Sequence, residues 1–192
     1  MPSIENFRAA KLNGFRRVFS LVSISGIKNG ATYPHIAALA IRPDPSSFVI
    51  GCLFDIPENE LEGYLMREAR YKAVELEFDL FTATAPAEGT QQVKAFTVIE
   101  QTDEDYQARL VQENKSYDEE VRRFYDGQLW GREDILPMPD YLSLCMQAAS
   151  ALDQSENLSS YNSSARENIL QMGYLADCTT IESYIANTAS RL

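Results

Sequence analysis

Glu68, within the stretch LMREARYKAVEL, is the residue whose surroundings best suit proton-transfer chemistry. It stands where a short helical pattern gives way to a strand, and a carboxylate at such a junction can point across the open end of a sheet. Partial burial there would suit a carboxyl group to general acid/base work. The competing reading is a surface glutamate paired with Arg67 or Arg70, an arrangement that is common and nearly neutral in energy. Other catalytic templates lack parts. His35 is the one histidine, so a histidine-rich zinc site, a serine triad or a Cys-His dyad would each depend on it. Following Tyr33 and Pro34 just ahead of a strand, His35 reads as a turn residue with a local hydrogen bond and is given no role. No GxxxxGK[ST] or GxGxxG spacing occurs, so no nucleotide cofactor is indicated. Neither a cofactor nor a metal is expected.

The elements that must position Glu68 are legible in outline. The run GFRRVFSLVS, residues 14–23, reads as a strand, with Gly26 and Asn29-Gly30 as turn chemistry after it. Two further apolar runs, 36–42 and 47–55, are separated by Pro43, Asp44, Pro45 and Ser46, which predicts a hairpin-like pair. Pro57, Glu58 and Glu60 open a short helix that ends near Arg67 or Glu68. From Tyr71 the chain alternates strictly, with Val74, Leu76, Phe78 and Leu80 on one face. Residues 85–89 (Ala-Pro-Ala-Glu-Gly) form a loop, and QQVKAFTVIE is the return strand, so a meandering, mainly antiparallel sheet is expected. Residues 103–124 turn helical and charged. Later helices are expected from Pro139 or Asp140 to Leu152, over residues 160–172, and after a cap at Thr179-x-x-Glu182. Strands first and helices later is the pattern of an α+β chain.

Composition sets the outer limits. A length of 192 residues with 45% hydrophobic content suits one domain, 1–192, with a sizeable core. A net charge of −11 would repel a phosphate backbone or an anionic membrane, so neither nucleic acid nor membrane is expected as partner. Cys52, Cys145 and Cys178 form no CxxC pair and stand in apolar or helical stretches, which predicts buried free thiols in a reducing compartment. The N-terminal stretch MPSIENFRAAKLNGFRR has no apolar signal-like core, which predicts a cytoplasmic protein. The Asn-x-Ser sequons at Asn114, Asn157 and Asn162 are then chance matches.

Four motifs in order resemble the gamma-glutamylcyclotransferase family, in its ChaC-type and plant-type branches. GFRRVF (Gly14 to Phe19) resembles the strand after the family's first loop, and FVIGCLFDIPENEL (Phe48 to Leu61) its strand leading into an acidic helix start. REARY (Arg67 to Tyr71) resembles its R-E-x-x-Y, and PMPDYLSLCMQAA (Pro137 to Ala149) its proline-then-tyrosine helix. The resemblance implies a small mixed, mainly antiparallel β-barrel flanked by helices concentrated in the C-terminal third. It also implies release of 5-oxoproline and a free amine from γ-glutamyl compounds, glutathione among the candidates, by intramolecular aminolysis. On that pattern Glu68 is the catalytic acid/base, while Tyr141 and Tyr71 line the substrate pocket; each tyrosine has a packing role as its alternative. The family's Tyr-Gly-Ser substrate loop has no counterpart, since MPSIENFRAAKLNG stands in its place and no Tyr-Gly-Ser occurs. Two functions stay open at this point: the cyclotransferase, and a catalytically impaired binding or scaffold member of the same fold. Which γ-glutamyl substrate, and which oligomeric state, are open too.

Overall fold

The computed structural model of the chain describes residues 4–81 and 91–189. The loop expected at residues 85–89 lies outside the described residues. The molecule is organised around one long antiparallel pair. Strand β1 (Glu5–Val22) runs against β2 (His35–Asp55), from Glu5 opposite Asp55 to Val22 opposite Ala37. The last six residues of β1, Arg17–Val22, are all buried, so both faces of the pair are covered there and a one-residue slip, which would turn every side chain to the opposite face, is penalised.

The two apolar runs expected to form a hairpin with each other are both part of β2, and both pair with β1. The Pro43–Ser46 segment is accommodated as a bulge: Asn13 lies opposite Phe48 and Phe15 opposite Pro43, so residues 44–47 are set against Gly14 alone. Gly14 has φ +78°, a conformation that costs a residue with a Cβ. Asp44 Oδ1 closes the bulge by accepting from the Ser46 amide at 3.0 Å and its hydroxyl at 2.7 Å. Strand β1 also begins nine residues earlier than Gly14, in a stretch whose mixed polarity hides its strand character.

Between the two long strands, Ser23 caps a single helical turn, α1 (Ile24–Lys28), where only turn chemistry was anticipated. Helix α2 (Glu58–Arg67) follows β2 and delivers the chain to β3 (Lys72–Leu80) and β4 (Gln91–Ile99), which pair antiparallel along their whole length. The sheet is not a meander. Its order is β4-β3-β1-β2-β5, because β3 crosses to the far edge of β1, with Ala10 opposite Leu80. The short strand β5 (Leu136–Pro137) joins β2 in parallel, and β6 (Gly173–Leu175) joins β1 in parallel at Arg17–Phe19. The sheet curls until its β4 end meets β2. There the Glu100 amide donates to the Ile41 carbonyl at 2.9 Å, and Arg42 grips the Glu100 carboxylate through two hydrogen bonds of 2.6 and 2.7 Å. The curl therefore closes through one residue rather than through a ladder.

Helix α3 (Asp103–Gln112) stops at Glu113, and the next segment continues only as a π-helical turn, Asp118–Arg122. Helix α4 (Pro139–Ser155) is followed by a 3-10 turn, Leu158–Tyr161, then α5 (Ala165–Met172) and α6 (Ile181–Ala189). The cap of α6 is Thr180 rather than Thr179: its hydroxyl accepts from the Ser183 amide at 3.2 Å. Asn114, Asn157 and Asn162 have φ of 54°, 48° and 51°, so each ends or brackets a helical turn in the left-handed conformation asparagine tolerates best. Gly173 admits no side chain, since a Cβ there would lie 2.3 Å from the Ile169 carbonyl oxygen. The result is an α+β architecture of six mainly antiparallel strands flanked by helices.

The larger core packs Phe19, Leu21, Ile36 and Ile50 of the sheet against Leu142, Ala149, Ile169 and Ile181 of the later helices. A smaller apolar cluster, Ala10, Leu12, Val49, Leu53, Phe78 and Leu80, lines the hollow of the curled strands. The cysteines are not buried as expected: Cys52 and Cys178 are exposed, Cys145 is half-buried, and all three are free thiols. Period-two alternation puts Cys52 on the opposite face of β2 from Val49 and Leu53, whose side chains belong to the cluster in the hollow. No described helix is long and apolar enough to cross a membrane.

Candidate active site

Helix α2 terminates at Arg67, and Glu68 is its C-cap. The Glu68 amide donates to the Tyr64 carbonyl at 3.2 Å, and its carbonyl accepts from the Tyr71 amide at 2.8 Å, so a tight turn separates helix from strand. That turn is held from outside. The Ala69 carbonyl accepts from Gln101 Nε2 at 3.3 Å and from Arg109 Nη1 at 3.4 Å, while Arg109 Nη2 reaches the Leu65 carbonyl. Ala69 itself is buried, which tethers the turn to the core and leaves the flanking Glu68 half-exposed.

The Glu68 carboxylate takes part in no ion pair among the described residues. Arg67 lies over the Tyr64 ring, 5.4 Å from its centre, instead of reaching back to Glu68. The neutral surface pair considered from sequence is thus not formed.

Tyr71 stands at the entrance to β3. Its hydroxyl donates to the Leu39 carbonyl at 2.7 Å, and its ring meets Trp130 edge-on with centres 5.5 Å apart. Burial first, and then the neighbouring Tyr141 and Glu68, push the Tyr71 phenol well above its ordinary pKa. Tyr141 comes from the first turn of α4, where Pro139 at the helix start presets the backbone. Its ring packs edge-on against Phe19 at 6.1 Å. Burial, followed by the Cys145 thiol one helical turn away, pushes its pKa up to about 12. Both phenols therefore stay neutral, able to donate a hydrogen bond, across the physiological range.

Glu68, Tyr71 and Tyr141 meet in space although two of them are seventy residues from the third in the chain. They form a wall common to two cavities. One, of about 340 Å³, occupies the hollow of the curled sheet and is floored by Leu12, Ile41, Val49, Gly51 and Phe78, with Arg17 in its lining. The other, of about 830 Å³, opens between α1, the start of β2 and the start of α4, beside Ser23, Asn29, His35 and Asp140. His35 is not a locally bonded turn residue: its Nδ1 lies 3.2 Å from the Pro137 carbonyl, across the β2–β5 pair. No group of three or more His, Cys, Asp or Glu side chains among the described residues is arranged to hold a metal ion.

Arg17, Leu39 and Trp130 were not singled out from sequence. The signal for Arg17 was present: it interrupts the run FRRVFSLV, on the same strand face as Phe19 and Leu21, which is an unusual place for a charge. Leu39 acts through its backbone and Trp130 from a distant loop, and neither leaves a trace in local pattern.

The hollow of the curled antiparallel sheet brings together a carboxylate, an arginine and two neutral phenols. Among solved structures the chain is similar to a gamma-glutamyl cyclotransferase, at 11% identity and TM-score 0.38 over 74% of this chain and 85% of that one. It is similar also to an uncharacterized protein from Homo sapiens, at 13% identity and TM-score 0.36 over 74% and 85%. A protein from Arabidopsis thaliana solved in solution is similar at 16% identity and TM-score 0.35 over 60% and 72%. No family profile matches the chain, and no curated protein matches it.

Proposed function

We propose that this protein is a gamma-glutamylcyclotransferase-like enzyme that converts γ-glutamyl compounds to 5-oxoproline and a free amine, with Glu68 as the acid/base. The observation that carries the reading is the Glu68 carboxylate, in no ion pair with Arg67 or Arg70, on the wall shared by the two cavities. The γ-glutamyl group enters the smaller cavity, and the departing amine extends into the larger.

The substrate's α-ammonium must lose a proton before its nitrogen can attack the γ-carbonyl. Glu68 takes that proton, the new C–N bond closes a five-membered ring, and the carbonyl electrons move to oxygen. As the carbonyl re-forms, the bond to the leaving nitrogen breaks and Glu68 gives that nitrogen the proton it took, while the second proton of the attacking nitrogen passes to the released amine, which departs as an ammonium. No cofactor is required, because nucleophile and electrophile belong to one molecule and a folded conformer brings them together. Tyr141, neutral and at the cavity wall, supplies a hydrogen bond to the substrate. Tyr71 has its hydrogen committed to Leu39, so its ring shapes the pocket rather than donating to the oxyanion.

The test is release of 5-oxoproline, followed by mass spectrometry, from glutathione and from a γ-glutamyl amino acid. Turnover by the wild type that falls about 100-fold or more in Glu68→Gln supports the assignment. Equal turnover by the two proteins removes Glu68 from the mechanism, and an inert wild type leaves a binding protein of the same fold.

A further inference from the structure

The buried charge at the base of the smaller cavity forms no ion pair among the described residues. Arg17 is only 9% exposed. Its Nη1 donates to Asn168 Oδ1 and its Nη2 to the Ile50 carbonyl, both neutral acceptors. These engage two of the five N–H groups a guanidinium carries. Among the described residues no carboxylate pairs with it, and the ionisable group that acts on it is Cys145, whose thiol is pushed up by burial and so stays neutral. A guanidinium in this setting is costly to hold, since buried charges are ordinarily paired. Desolvation lowers the Arg17 pKa to about 10, which still leaves it charged at neutral pH.

We propose that Arg17 is an anion anchor: it binds the carboxylate of a small ligand in the hollow of the sheet, and in the γ-glutamyl substrate that group is the α-carboxylate. The second half of this statement rests on the function proposed above; the first does not. The arrangement follows from the cavity itself, whose lining is apolar apart from Arg17, Glu68, the two phenols, Thr97 and Cys52, so an entering carboxylate finds one cation and a low dielectric that strengthens the attraction. Holding the α-carboxylate at Arg17 would also orient the adjacent α-amine, leaving Glu68, in the same lining, free to deprotonate it.

Gly51 gives a way to fill the site from within. A Cβ at this position would meet Arg17 Nη2 at 3.7 Å, an ordinary contact, and nothing else within 4 Å. Gly51→Asp should therefore place a carboxylate against the guanidinium without disturbing the strand.

The experiment is calorimetric titration of the full chain with L-5-oxoproline and with its carboxamide, which has the same shape and no charge. The wild type should bind the acid about 10- to 100-fold more tightly than the amide. Arg17→Gln should bring the acid down to the level of the amide. Gly51→Asp should stay folded by circular dichroism, melt no lower than the wild type, and lose acid binding. Equal binding of acid and amide to the wild type, binding of neither, or unchanged acid binding by Gly51→Asp would overturn the anchor. The wild-type comparison decides even if a variant fails to fold. Acid-selective binding without turnover would remove the proposed reaction and keep the anchor; turnover with no preference for the acid would do the reverse.

Discussion

The hydroxyl of Tyr71 donates to the backbone carbonyl of Leu39 at 2.7 Å, joining the turn after α2 to the first part of β2. Because the same turn carries Glu68, this bond sets where the carboxylate stands relative to the sheet. Tyr71→Phe keeps the ring against Trp130 but orphans the carbonyl. The expected cost is about 1 kcal/mol in denaturant unfolding, with a lower kcat for 5-oxoproline release and little change in KM.

Glu68 makes no ion pair among the described residues, so Glu68→Gln should unfold within about 0.5 kcal/mol of the wild type. A larger loss by urea titration would give the side chain a structural role.

Asp103 is a buried carboxylate of another kind. It accepts from the Leu129 amide at 3.0 Å, the Trp130 amide at 3.3 Å and the Tyr117 hydroxyl at 3.1 Å, and thereby fastens the loop that brings Trp130 to Tyr71. Asp103→Ala leaves these donors unsatisfied and should destabilise the fold by roughly 2–4 kcal/mol. Loss of the Trp130 near-ultraviolet dichroism should accompany it.

Glu100 fastens the curl of the sheet. Its carboxylate receives both Arg42 hydrogen bonds and one from Ser20, and its amide reaches Ile41. Glu100→Ala should cost about 1–3 kcal/mol and widen the hollow, which hydrogen exchange at the β4 amides would register as lost protection.

The buried phenols make the protein labile to alkali. Tyr141 titrates in the folded state at about 12 against an ordinary 10.0, and Tyr71 is raised as well. Above the ordinary value the unfolded chain releases phenolic protons that the folded chain keeps, so the stability from these groups is intact below 10.0 and lost as pH climbs toward about 12. Tyr141→Phe should flatten that decline in denaturant titrations across the same window, and an equal decline in both proteins would place the sensitivity elsewhere.

Strands β3 and β4, helix α2 and helix α4 were legible in the sequence because each is specified by neighbours: strict alternation, a proline with early acids, or a proline followed by helical spacing. Glu68 at the α2–β3 junction came from the same local signals. The continuity of β2 through Pro43–Ser46 was not legible, because a bulge is admitted by the partner strand, here by Gly14 on β1, and not by the residues that form it. The crossing of β3 to the far edge of β1, and the exposure of Cys52, depend likewise on which strand lies alongside.

What the sequence by itself determined is the set of elements and the presence of a carboxylate at a helix–strand junction, since propensity and periodicity act over a few residues. Assembly of the fold leaves Glu68 without an ion pair among the described residues, brings Tyr71 and Tyr141 to it, and puts Arg17 in the lining of the same hollow unpaired by any carboxylate. Each of those is a relation between residues far apart in the chain, and burial and electrostatics are settled by what the completed fold brings within a few ångströms.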